Sequence, residues 1–222
     1  MKRIIIILLS IIIASIRLSA QHTEASGTIN EHPYIDLGLS VKWATMNIGA
    51  EYETDYGNSY AWGEVKPKGF FAWKTYFDSK DQQGKSFKIY RVGGKMKISS
   101  NSGHDAARAN WGGTWRLPTI EEMTELIEKC VWTWKSSPVG SGYIVTGPNG
   151  NSIFLPASGS NEGYYKKKEN NGGYYMTNSI SSKSPDCPMI LGFYVDDDFS
   201  SGPKVYSFSN RSYGISVRAV SQ

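Results

Sequence analysis

From Tyr34 onward, the sequence consists of short apolar runs separated by glycine, asparagine and serine. This pattern is typical of many short strands joined by turns. The chain has 23 glycines and 13% aromatic residues, and both features favour sheet and turns over helix. Seven strands are predicted, at residues 41–47, 142–146, 152–155, 173–178, 189–195, 205–208 and 215–220.

The last of these segments alternates in character. One set of side chains is entirely apolar, and the other set includes a serine and an arginine: Ile215, Val217 and Ala219 against Ser216, Arg218 and Val220. The alternation predicts a strand with one face buried.

Helix is predicted in two places. The first begins at Asp105 as its N-cap, reaches about Asn110 and ends at Gly112-Gly113. The second runs over residues 119–130, where Thr119 and Glu122 have the spacing of a capping box. The residues expected to share its apolar face are Ile120, Met123, Leu126, Ile127 and Cys130, and Glu125 with Lys129 is spaced for a surface ion pair.

The N-terminus reads as a targeting segment. Lys2 and Arg3 precede an apolar run of about a dozen residues, and Ser19-Ala20 follows it, as in a secretory signal peptide. We therefore expect residues 1–20 to be removed, residues 21–33 to form a flexible leader, and residues 34–222 to form one domain. No membrane attachment is expected after cleavage, and the protein is expected to be secreted, periplasmic or at the cell surface.

The charge balance argues against a nucleic-acid partner. The whole chain has 24 basic and 20 acidic residues, which gives a net charge of +4. Three of the basic residues lie in the signal peptide, so the rest of the chain has a net charge of +1. A basic stripe of the kind that binds nucleic acid is not evident.

Catalytic and metal-binding patterns are weak. Cys130 and Cys187 are destined for an oxidising compartment in which a disulfide is permitted, although Cys130 also suits a buried free thiol. His104 is the one histidine inside the predicted domain, and we expect it to make a local polar contact. No metal site or cofactor is predicted; Asp196, Asp197 and Asp198 are weak calcium-ligand candidates that fit a charged surface turn better.

Two copies of Gly-Tyr-Tyr begin at residues 163 and 173, on either side of a loop rich in lysine and asparagine. Exposed aromatic faces commonly bind sugars or protein partners, and exposed apolar patches are often functional. The candidate ligand-binding residues are therefore Tyr164, Tyr165, Tyr174 and Tyr175.

The run NWGGTWRLPTIEE, residues 110–122, invites an enzymatic reading, but a structural role accounts for it better. We expect the indoles to pack inward and Arg116 to donate to backbone carbonyls near the Gly-Gly turn. The residues of this structural motif are Trp111, Trp115, Arg116, Pro118, Thr119 and Glu122.

Four ordered segments give the chain a resemblance to a known family. They are IDLGLSVKWATMNIG at 35–49, YGNSYAWGE at 56–64, DAARANWGGTWRLPT at 105–119 and GISVRAV at 214–220. Together they resemble the Fibrobacter major paralogous (FISUMP) domain family, over about residues 34–220.

That family is similar to the C-type-lectin-like fold of the sulfatase-modifying-factor group. The resemblance implies an α+β, C-type-lectin-like domain with two helices, twisted antiparallel strands, long loops and neighbouring N- and C-terminal strands. In the enzymes of that group, oxidation rests on a cysteine pair near the C-terminus, and this chain has only Cys187 in that half. The sequence also departs from the family at residues 173–178 and 184–188, where related folds place ligand contacts.

These observations favour a secreted, non-enzymatic module that binds an extracellular ligand, either a glycan or a surface protein. Two alternatives stay open: an enzyme acting on polysaccharide or on sulfatase-like substrates, and a structural subunit of a surface assembly.

Overall fold

A computed structural model describes residues 24–81, 90–137, 140–196 and 200–222. The helices are α1 (Ala106–Trp111) and α2 (Ile120–Lys129), with one 3-10 turn at Trp73–Thr75. The strands are short and numerous: β1 (Gly27–Ile29), β2 (His32–Ile35), β3 (Lys42–Ala44), β4 (Ser59–Tyr60), β5 (Val131–Lys135), β6 (Gly142–Thr146), β7 (Ser152–Pro156), β8 (Ser160–Glu162), β9 (Tyr165–Lys167), β10 (Gly172–Ile180), β11 (Pro188–Val195), β12 (Ser200–Ser207), β13 (Ile215–Ser216) and β14 (Val220–Ser221).

The strands of the described ranges form four sheets. The largest has the order β12-β11-β10-β13-β4, and a second has the order β1-β2-β3-β14. The strands β5, β6 and β7 form a three-stranded sheet, and β8 pairs with β9. The pairing is antiparallel throughout except between β10 and β13, where Tyr175 lies opposite Ser216.

The fold is predominantly β. Strands account for 37% of the described residues and helices for 10%. The expectation of an α+β, C-type-lectin-like architecture is therefore wrong. The two helices span only six and ten residues, and most of the large side chains in the core come from strands and loops.

Both faces of the largest sheet are buried at the inner strands β10 and β11, whereas the edge strand β12 is exposed or half-buried. Successive side chains of a strand point to opposite faces, and on β10 Tyr175 enters one apolar cluster while Met176 enters the other. Leu191 and Ile190 on β11 divide in the same way. Helix α2 covers one side of the sheet, where its Met123 and Leu126 are buried.

The prediction of a C-terminal strand with one buried face is wrong. Residues 215–220 are all buried, and they form two short strands, β13 and β14, in two different sheets. β14 pairs with β3, so N-terminal and C-terminal parts of the domain do lie side by side.

Arg218, the charged residue of this segment, is buried, and four hydrogen bonds satisfy most of its guanidinium. It donates to the carbonyl oxygens of Ala44, Thr45 and Phe154 at 3.1, 3.0 and 2.8 Å, and to Oδ1 of Asn47 at 2.9 Å. Burial lowers the pKa of Arg218 to about 10. This arginine ties the start of the domain to β7 and to the C-terminal segment.

The predicted helices are confirmed. The carboxylate of Asp105 accepts the amide hydrogen of Arg108 at 3.0 Å, and α1 ends at Gly112, whose φ is 65°. The capping box of α2 is present in both directions between Thr119 and Glu122. The Glu125–Lys129 ion pair also forms, with 2.8 Å between Oε1 and Nζ.

The tryptophans of the structural motif pack inward as expected. Trp115 is fully buried, and its Nε1 donates to the carbonyl oxygen of Ile29 at 2.8 Å. Trp111 is buried against the ring of His32, with centroids 4.1 Å apart and planes 11° apart. Pro118 is also buried, directly before the Thr119 cap.

The predicted partners of Arg116 are wrong. Its Nη1 and Nη2 donate to the two carboxylate oxygens of Glu122 at 2.8 and 2.5 Å, and only a 3.2 Å bond from Nη1 to the Leu117 carbonyl involves the backbone. A carboxylate accepts both arms of a guanidinium at once, which a carbonyl near the Gly-Gly turn cannot do. Arg116 therefore has a structural role, in which it binds Glu122 of the capping box of α2.

The predicted leader, residues 21–33, is wrong over its second half. β1 lies within it and pairs with β2, so that Gly27 lies opposite Tyr34. Trp115 and Trp111, which contact Ile29 and His32, explain the order of this hairpin. Within the described residues, no helix is long and apolar enough to cross a membrane; the predicted signal peptide at 1–20 lies outside them.

Candidate ligand-binding surface

The structure separates the four candidate tyrosines. Tyr164 and Tyr165 are 80% and 75% exposed, the highest values among the large apolar side chains described. Tyr175 is completely buried, and its hydroxyl donates to the Pro156 carbonyl at 2.6 Å. Tyr174 is half-buried, with its ring 5.2 Å from that of Phe208.

The prediction for Tyr175 is therefore wrong, and Tyr174 is not part of the exposed pair. Both lie on β10, which is covered on its two faces, so neither side of that strand is free to present a full aromatic ring. The first Gly-Tyr-Tyr copy differs because it forms the tip of a two-stranded hairpin.

We name residues 160–170 the Tyr–Lys hairpin. Its strands β8 and β9 pair with Glu162 opposite Tyr165, and Gly163 with Tyr164 forms the connection. Gly163 has a φ of 63°, which suits a residue without a side chain. The tip therefore turns tightly and leaves both tyrosine rings outside.

Neighbouring segments hold this hairpin in place. The backbone of Gly163 exchanges two hydrogen bonds with Phe71, at 2.8 and 3.0 Å. At its base, Asn161 exchanges two with Gly214, at 2.7 and 3.0 Å. These bonds fix the tip and the base, so the exposed rings are carried on an ordered frame.

An aromatic and cationic surface surrounds the tip. The rings of Tyr164 and Phe70 meet edge to face with centroids 4.4 Å apart. Nζ of Lys74 lies 4.5 Å from the centroid of Phe70. A ligand resting on Tyr164 would therefore have an ammonium group within reach.

The three lysines of the hairpin are also oriented by contacts. Nζ of Lys166 lies 4.3 Å from the ring centroid of Tyr56, and Nζ of Lys168 lies 4.2 Å from that of Tyr194. Lys167 pairs with Glu162 at 2.5 Å. Contacts of this kind reduce the motion of long side chains before a ligand arrives.

Hydrogen bonds favour the charged forms of Glu162 and Lys168. The hydrogen bond from Lys167, and then one from Tyr213, lower the pKa of Glu162. The hydrogen bond to Tyr194 raises the pKa of Lys168. The hairpin can thus offer aromatic faces for the apolar side of a ligand and ammonium groups for its hydroxyl or acidic oxygens.

The candidate metal ligands do not form a described site. The hydroxyl of Tyr194 donates to Oδ2 of Asp196, while Asp197 and Asp198 lie outside the described residues. In the described ranges, no three histidine, cysteine, aspartate or glutamate side chains are grouped to hold a metal ion.

The cysteines and His104 are poorly placed for nucleophilic chemistry. Burial, assisted by the charge of Glu125, raises the pKa of Cys130 to about 11, and burial likewise raises that of Cys187. Both are free thiols. Nδ1 of His104 lies 3.1 Å from the Gly63 carbonyl, the local polar contact expected from the sequence.

No protein-family model matches the chain, and it matches no curated protein and no solved structure. The resemblance to the FISUMP family therefore stays a prediction.

Several residues of the surface were missed by sequence reasoning. Phe70, Lys74 and Tyr56 are distant from the hairpin in sequence and join it only through the fold. The crowding of aromatic residues over 56–76 was the one signal that could have pointed to them.

Proposed function

We propose that the protein is a non-enzymatic module that binds an extracellular ligand, with a glycan as the best fit, through the Tyr–Lys hairpin. The observation that carries the proposal is the exposure of Tyr164 and Tyr165, 80% and 75%, on a hairpin anchored at both ends. Binding residues are often carried on loops that a rigid scaffold positions.

A glycan suits this surface because a sugar has both apolar faces and hydroxyl edges. The tyrosine rings can cover an apolar face, and the ammonium groups of Lys74 and Lys166 can donate to ring or hydroxyl oxygens. A protein partner would need a larger continuous surface of about 800 Å² on each side. The hairpin tip alone is small for that purpose.

Secretion belongs to the same proposal. The support for it is the signal-peptide pattern at residues 1–20. Membership of the FISUMP family, proposed on the four ordered segments, is compatible with an extracellular binding role.

The test is binding of the purified protein to a panel of immobilised neutral and acidic polysaccharides. We expect the double variant Tyr164→Ala/Tyr165→Ala to bind its glycan roughly tenfold more weakly, since two aromatic contacts contribute about 1 to 3 kcal/mol. Val131→Ala is the control, because Val131 is 67% exposed and lies on β5 outside the hairpin.

Melting temperatures of both variants should equal that of the wild type, since none of these side chains is buried. The proposal fails if the double variant binds the glycan as tightly as the wild type does. It also fails if the wild type binds a protein ligand but no glycan.

A further inference from the structure

A groove of about 680 Å³ lies far from the Tyr–Lys hairpin. Its walls are the turn at residues 91–97, the start of α2 and the end of β10 with the residues that follow it. β10 spans nine residues from the hairpin side to the groove, which corresponds to about 26 Å at 3.3 Å per residue. The groove and the hairpin are separate surfaces.

Backbone pairing brings these walls together. The amide of Ile98 donates to the Asn178 carbonyl at 2.8 Å, and the amide of Ile180 donates to the Met96 carbonyl at 3.0 Å. This ladder places Lys97 beside Ser179. The groove floor is therefore held by main-chain hydrogen bonds rather than by mobile side chains.

A tight turn adds two further cations. Val92 and Lys95 exchange backbone hydrogen bonds at 2.9 and 3.1 Å, across Gly93 and Gly94 with φ of 56° and 77°. Nη1 of Arg91 donates to the Gly94 carbonyl at 3.3 Å. Arg91 and Lys95 consequently line the same wall.

The groove carries an excess of positive charge. Four cations line it, Arg91, Lys95, Lys97 and Lys183, against the single carboxylate of Glu121. Lys95 pairs with Glu121 at 3.6 Å, with both side chains more than 70% exposed. For Arg91, Lys97 and Lys183, no carboxylate of the described residues lies within ion-pair distance. An anion would therefore meet three cations that no carboxylate of the described residues neutralises.

The other residues that line the groove are mostly polar and suit a ligand with several hydroxyl groups. Four serines line it, at residues 179, 181, 182 and 207, together with the half-buried Met96 and Met189. A volume of about 680 Å³ is within the range of small-molecule pockets and exceeds what one sulfate or phosphate would fill.

We propose that this groove, the basic groove, binds a saccharide that carries an acidic group, either a sulfate or a carboxylate. The cations at 91, 97 and 183 receive the anionic oxygens, the serines bond the sugar hydroxyls, and the side chains of Met96 and Met189 contact its apolar face. The proposal is independent of the hairpin, since it rests on other residues.

The test is calorimetric titration of the purified protein with glucose 6-sulfate, glucuronate, glucose, inorganic sulfate and a short single-stranded oligonucleotide. We expect the two acidic sugars to bind at least about tenfold more tightly than glucose, and more weakly as NaCl rises from about 50 to about 500 mM, because salt screens exposed charges. Both acidic sugars should also exceed inorganic sulfate.

Lys97→Gln/Lys183→Gln should weaken binding of the acidic sugars at least about tenfold, and the single exposed change Lys183→Gln should weaken it in part. Lys135→Gln, an exposed lysine on β5, and Tyr164→Ala/Tyr165→Ala should leave it unchanged. Equal binding of glucose and the acidic sugars, tighter binding of inorganic sulfate or of the oligonucleotide, or wild-type affinity in the lysine variants would each overturn the proposal.

Discussion

The guanidinium of Arg116 forms two hydrogen bonds with the carboxylate of Glu122, and the same carboxylate accepts the amide hydrogen of Thr119 at 2.9 Å. The first turn of α2 is thus tied to the strand-like segment before it. Since Arg116 also pairs through its backbone with Val220 at 3.0 Å, the contact extends to β14.

We predict that Arg116→Ala lowers the free energy of unfolding by about 2 kcal/mol, because the partly buried carboxylate of Glu122 loses a bidentate partner. In a domain of this size, that loss corresponds to about 4 to 8 °C in melting temperature. Calorimetry measures the shift. Lys129→Ala, which removes an exposed ion pair, should barely change the melt. An unchanged melt of Arg116→Ala together with lost ligand binding would assign Arg116 to the binding site.

We predict a larger effect for Arg218→Met. The substitution keeps much of the side-chain volume but leaves four buried or partly buried acceptors without their donor. The expected cost is about 3 to 5 kcal/mol, measured by urea denaturation. Lys in this position should also be strongly destabilising, because one ammonium group cannot reproduce the planar fork of a guanidinium. A stable Arg218→Met protein would contradict this account of the buried arginine.

We predict that Gly173→Ala destabilises the domain, whereas Gly202→Ala does not. A Cβ at Gly173 would lie 2.1 Å from a ring carbon of Phe193, which is buried and packs against Tyr143 at 5.0 Å. At Gly202, on β12 of the same sheet, a Cβ would meet nothing within 4 Å. Overpacking should cost about 1 to 3 kcal/mol at Gly173. Equal melting temperatures of the two variants would show that Phe193 can move aside.

We predict that the Cys130 thiol is slow to alkylate in the folded protein. Burial, and then the charge of Glu125, raise its pKa to about 11, so near pH 8 the reactive thiolate is about a hundredfold or more scarcer than in an unfolded chain. Iodoacetamide labelling of the Cys187→Ser variant, followed by mass spectrometry, isolates this thiol.

The labelling rate should rise about tenfold per pH unit from about pH 8 to about pH 10, because the thiolate fraction grows in that proportion below the pKa. Labelling in urea should remove the protection. A rate that levels off below about pH 9.5 in the folded protein would contradict the raised pKa.

Local signals in the sequence predicted local structure. Asp105, Thr119 and Glu122 are capping residues whose effect spans only three positions, and both helices begin where they indicate. The predicted bounds of β6 agree with the structure, and those of β7 differ by one residue. A turn that contains proline and glycine separates the two strands and marks their ends.

The features that the sequence did not predict depend on contacts between residues far apart in the chain. Arg218 suggested an exposed face, but hydrogen bonds to residues more than sixty positions away allow its burial. β1 has little apolar character of its own and depends on Trp115 for a partner. The basic groove is also invisible in sequence, since its cations come from segments some ninety residues apart.

The pairing of Lys42–Ala44 with Val220–Ser221 has a consequence for biogenesis. If the chain crosses a membrane with its amino end first, the edge of β3 that pairs with β14 stays unpaired until residue 221 has emerged. During that interval Trp43 lacks Val220, its register partner on β14. A chaperone that binds unfolded chains would then protect the protein until its two ends meet.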